Sequence, residues 1–132
     1  MLNAMLEWLA PVIGWISGLN VGDYLSGYCY KNANYYSDKK VAENNARADR
    51  LMRQLRRFAV ENAENELNWK NTNQCKYFIY YDYELNRISN GFLNPFRDSF
   101  QIYFDTKETS QKAIETFKDE LMWYFTEYRD RV

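Results

Sequence analysis

The apolar residues of this chain recur at helical spacing, then at strand spacing, then at helical spacing again. A change of period of this kind confines the chain to folds that mix sheet and helix. Over residues 38–66, steps of about 100° per residue gather Ala48, Leu51, Met52, Leu55, Phe58 and Ala59 on one side, with Val41 in line. Arg50, Arg53 and Arg57 fall in a narrow sector opposite. The pattern predicts a long amphipathic helix. Ser37 is its expected N-cap, because a hydroxyl there accepts from an amide of the first turn. The asparagines of "ENAENELNW" weaken helicity and blur its end.

Strand periodicity follows. Cys75, Tyr77, Ile79, Tyr81 and Tyr83 alternate with Lys76, Phe78, Tyr80 and Asp82. The first set is expected on the core, which leaves Phe78, Tyr80 and Asp82 to meet either a helix or a partner. "NRISNG" reads as a turn ending in Asn-Gly, and "PFRDSFQIYFD" reads as the pairing strand, with Phe100, Ile102 and Phe104 on one face and Gln101 and Tyr103 on the other. An additional short strand near residues 88–93 is also open. Asp105, three residues before Glu108, suggests a capping box that opens a final helix over about residues 107–129. Its apolar face carries Ala113, Ile114, Phe117, Leu121, Tyr124, Phe125 and Tyr128, with Trp123 turned away. The expected fold is α+β: a short antiparallel sheet packed against the central and C-terminal helices. "YYSDKKVAENNA" and "YFDTKETSQKAI" share an order of aromatic pair, capping residue, charged turn and helix, a weak internal echo.

Ahead of this core, over residues 35–130, lies the apolar segment "MLNAMLEWLAPVIGWISGL", read as a helix over residues 3–17 that kinks or restarts at Pro11. A helix apolar almost all round must be covered, and Trp8, Val12 and Trp15 are its candidate oligomer contacts. Asn3, Glu7 and Pro11 interrupt it, and the first cationic side chain is Lys31. A signal peptide or membrane anchor would carry basic flanks, so a soluble, cytoplasmic, non-membrane protein is expected. The length of 132 residues suits one domain.

Composition narrows the chemistry. The chain has no histidine, which removes the commonest general base and metal ligand. Cys29 and Cys75 stand far apart; one disulfide between them is an open alternative to the two free thiols expected, and no zinc ligand set is present in the sequence. Asp82 and Glu84 could share a strand face as an acid–base or cation pair, with no third ligand at motif spacing. No catalytic residue, metal or cofactor is therefore assigned. Residues 38–57 hold seven cations (Lys39, Lys40, Arg47, Arg50, Arg53, Arg56, Arg57) against three anions. Residues 98–130 hold eight acids against four bases. Arginines a turn apart could grip phosphates or an acidic protein, and they could equally be a solvated helix back, neutralised by the acidic C-terminal helix. Arg50, Arg53, Arg57, Tyr80, Asp82 and Trp123 are the candidate partner-binding residues.

The motif Asn68-Trp69, Gln74, Lys76, Tyr77, Ile79, Tyr81, Asp82, then Ile102, Tyr103, Phe104, Thr106, Ala113 and Ile114 resembles a family of small proteins from phages and mobile elements of Gram-positive bacteria. The likeness covers about residues 35–130, and the apolar first thirty residues depart from it. It implies an accessory protein of a class that includes anti-CRISPR inhibitors, with a host defence protein such as a CRISPR effector as partner. A nucleic-acid-binding role for the arginine face and self-assembly through the N-terminal helix are the competing expectations.

Overall fold

The computed structural model describes residues 38–128. The expected N-terminal helix, with Trp8, Val12 and Trp15, lies outside the described residues, as do Cys29 and Ser37. Helix α1 spans Lys39–Glu61. Its start is secured by Asp38, whose Oδ1 accepts from Val41 N at 3.1 Å, one residue later than the cap expected at Ser37. It stops five residues short of the expected end. Asn62 Nδ2 donates back to the Phe58 carbonyl at 3.0 Å, and the polar chain beyond folds on itself. Gln74 Oε1 accepts from Asn68 N while Gln74 Nε2 donates to the Glu66 carbonyl. Asn68 and Asn71 each accept from the amide two residues on. Side-chain amides that offer the backbone such local partners compete with the helix, which accounts for its early end.

Strands β1 (Lys76–Asp82) and β2 (Arg87–Leu93) form an antiparallel hairpin in which Lys76 faces Leu93 and Asp82 faces Arg87. The additional strand near residues 88–93 is thus present, and it, rather than the 95–105 segment, is the partner of β1. The turn is residues 83–86, with Asn86 at φ 51°, and Asn90-Gly91 sits inside β2. Asp82 Oδ1 accepts from Glu84 N and Leu85 N at 2.9 and 3.1 Å and so closes the turn. Gly91 faces Phe78 across the pair, and a Cβ there would come within 3.1 Å of the Phe78 ring. The glycine is thus the floor on which that ring lies. The segment 102–104 joins the sheet only through a bridge: Tyr77 N donates to the Phe104 carbonyl (2.9 Å) and Phe104 N to the Tyr77 carbonyl (2.7 Å).

The expected C-terminal helix is two helices, α2 (Lys107–Thr116) and α3 (Lys118–Thr126), broken at Phe117 with φ −109° and ψ 24°. The break sets the Phe117 ring edge-on against Phe58 of α1, centroids 5.6 Å apart. Thr106, not Asp105, caps α2: its side chain accepts from Thr109 N at 3.1 Å. Asp105 instead turns back to the loop after α1, where Oδ2 accepts from Glu64 N (2.7 Å) and Asn65 N (2.9 Å). Asp38 and Thr106 occupy equivalent places in the two echoed segments, and each caps its helix three residues ahead.

Arg50 and Leu51 mark the border between two compact units of the chain, and α1 runs unbroken through it. In the unit beginning at Leu51, the core is Leu51, Leu55, Phe104, Ala113 and Leu121, all buried. Met52, Phe58, Ala59, Tyr77, Ile79, Phe117, Tyr124 and Phe125 pack around it. The apolar stripes read from the sequence on α1 and on the C-terminal segment are these faces, and the α+β architecture stands.

Candidate functional site

Beneath the exposed surface, the face of β1 left open by its sequence is largely covered. Lys76 is fully buried there. Its Nζ donates to the Asn71 carbonyl at 2.7 Å, reaches the Asn94 carbonyl at 3.5 Å, and lies 5.1 Å from the centroid of the Trp69 ring. A buried ammonium survives only where dipoles and π-density replace its water. Trp69 meets Tyr103 edge-on at 4.8 Å, and Tyr103 meets Phe78 at 6.4 Å. Tyr103 is buried on this side, among Trp69 and Phe78, and lies outside the core cluster that holds Phe104. Its hydroxyl accepts from Asp98 N at 2.8 Å, which fixes the loop of residues 97–99. Arg97 in turn lies 5.1 Å from the Trp69 centroid.

This cluster forms one wall of a groove of about 860 Å³. Helix α1 contributes Met52, Arg56, Ala59 and Val60, the following loop Leu67 and Trp69, and α3 Tyr124. Residues 97–103 close the far side. A narrower cleft of about 160 Å³ shares Met52, Phe100, Ile102 and Tyr124 and reaches the core residues Leu55 and Leu121. Phe100 stands at the lip. Its side chain is fully exposed, and its φ of 66° is in the left-handed region. A bulky residue held there costs roughly 1–2 kcal/mol, and such backbone strain clusters at ligand clamps. Val60, on the opposite lip, is 77% exposed.

Of the residues read from the sequence as partner contacts, Arg50, Arg53 and Arg57 are exposed on α1, and none forms an ion pair among the described residues. On α1, Lys39 and Glu43 form an ion pair at 3.8 Å. Tyr80 is 38% exposed beside Phe78. Asp82 is half-buried, with one carboxylate oxygen committed to the hairpin turn. Glu84 is part of that turn rather than of the strand, so the alternation that paired the two carboxylates ends before it. No cluster of three or more potential metal-binding side chains occurs among the described residues.

Trp123 is the clear correction. It is buried and packs on Tyr128, centroids 5.3 Å apart. Leu121, Tyr124 and Phe125 keep the core-facing side expected of them, and Trp123, off that side, is nonetheless withdrawn from solvent. Cys75 is a free, half-buried thiol. The fold gathers Arg56, Arg97, Trp69 and Phe100 around the groove; the sequence places Arg56 in the cation stripe, Phe100 on a strand face and Trp69 in the motif, and assigns Arg97 no role. No helix among the described residues is long and apolar enough to cross a membrane. No family model matches the chain, and no curated protein or solved structure does.

Proposed function

We propose that this chain is a non-enzymatic protein-binding inhibitor from a phage or mobile element, acting by occupying the surface of a bacterial defence protein. The groove carries the reading. It combines apolar side chains with two arginines that form no ion pair among the described residues and a strained, fully exposed phenylalanine, and exposed features of this kind mark interaction surfaces rather than core. The resemblance of "NWKNTNQCKYFIYYD" and "IYFDT" to mobile-element accessory proteins supplies the context, and within that context a CRISPR effector nuclease is the favoured partner. Co-purification of the full chain with candidate effector nucleases, followed by a cleavage assay, tests it. Retention and inhibition of one of them is the expected result. Failure to bind or inhibit any of them removes the reading.

A nucleic-acid-binding role is the second reading, favoured by the exposed arginines of α1. A gel shift with a steep loss of affinity between low and moderate salt would select it, because each neutralised phosphate releases counterions.

A further inference from the structure

Resting on the binder reading above, we propose that the groove between α1 and residues 97–103 receives an acidic segment of the partner protein, anchored by one large apolar side chain. The groove's volume of about 860 Å³ lies in the range of ligand-binding clefts. Its floor is aliphatic, from Met52, Ala59 and Ile102, so it suits an apolar anchor better than a stacked base. The one tryptophan at the wall is already covered by Arg97 and Lys76.

Charge selects the occupant. Arg56 enters the groove from the helix and Arg97 from the loop, against the single acid Asp98. Neither arginine has an anionic partner among the described residues. Arg97 is pre-oriented, because Trp69 holds its guanidinium and Tyr103 holds the neighbouring amide. A cation fixed before binding loses less entropy when a carboxylate arrives. A basic segment would meet two like charges at the same place.

Phe100 completes the clamp. Its ring is fully exposed and so adds nothing to the core, yet its backbone is held in a conformation that favours glycine. The geometry keeps an aromatic ring at the lip, where an inserted segment can be covered by it. This explains why a strained residue stands on the surface rather than a relaxed polar one.

A random twelve-residue peptide library selected on the intact chain tests the proposal. Enriched peptides are expected to combine Asp or Glu with Leu, Phe or Trp. Their affinity, measured by fluorescence polarisation, should fall about thirtyfold with Phe100→Gly, while the melting temperature does not fall. Arg97→Glu should weaken binding similarly, and replacing the peptide's acids by lysine should restore it on that variant. No enrichment, enrichment of basic peptides, or affinities indifferent to both variants would overturn the proposal. So would displacement of the peptide by a single-stranded oligothymidylate, which would assign the groove to nucleic acid. The two readings separate cleanly. A nuclease held equally well by the unmodified chain and by both variants leaves the binder reading intact and removes the groove. An acidic peptide selected by a chain that holds no nuclease does the reverse.

Discussion

Lys76 and Phe100 break the ordinary rules for their residue types in opposite directions. Lys76 is a charge with no exposed surface, satisfied by two backbone carbonyls and the Trp69 ring. Lys76→Met keeps the length of the stem but removes the charge-assisted hydrogen bond to the Asn71 carbonyl, and a bond of that kind contributes about 1.5–3 kcal/mol. The urea midpoint should fall accordingly at unchanged slope, and Trp69 fluorescence should report a loosened wall. An unchanged midpoint would mean that the carbonyls find water instead. Phe100 exposes an apolar ring on strained backbone. Phe100→Gly relieves the strain without removing a core contact, although glycine also gains unfolded-state freedom. The net expectation is a stability unchanged or raised by up to about 1 kcal/mol. A clear loss in thermal unfolding would show that the ring supports the fold.

At the scale of elements, caps and breaks decide more than periodicity does. Helix α2 begins at Thr106 because the hydroxyl satisfies an amide that the helix leaves without a partner. Thr106→Ala is expected to cost about 1 kcal/mol, seen as a lower melting temperature. Thr106→Asp should retain most of the stability, since a carboxylate caps equally well and favours the helix N-terminus. The sequence placed this helix start correctly to within a residue but gave the cap to Asp105, whose carboxylate is spent on Glu64 and Asn65. Locally the two residues are equivalent cap formers. Which of them caps is settled by a loop about forty residues away in the chain, and no local pattern records that. The same holds for the break at Phe117. The apolar spacing from Ala113 to Phe125 fits one helix, and only the edge-on contact with Phe58 accompanies the interruption.

For the molecule as a whole, charge and apolar surface are separated along α1. The stripe of Leu51, Met52, Leu55 and Phe58 is turned to the core, while Arg53, Arg56 and Arg57 remain exposed. Exposed arginines without ion pairs contribute little to folding, so the double variant Arg53→Glu, Arg57→Glu should unfold within about 0.5 kcal/mol of the parent chain. Under the binder reading the same variant should lose an acidic partner, with the loss concentrated in the association rate and strongest at low salt. Surface plasmon resonance against a co-purified nuclease would show it. Binding that survives at both low and moderate salt would reduce the stripe to a solubilising face.

The sequence by itself determined the elements whose cause is local. These are the amphipathic α1, the alternation of β1, the apolar face of the C-terminal segment, and hence the α+β class. Each is a periodicity carried by consecutive residues, so it can be read before the chain folds. The tertiary structure decided what depends on residues far apart. It chose Arg87–Leu93 over the 100–104 segment as the partner of β1, because Gly91 gives the Phe78 ring a place to lie. It buried Trp123, and it brought Arg56, Trp69, Arg97 and Phe100 to one groove. A groove has no period, because its walls come from a helix and two loops whose paths are set by packing.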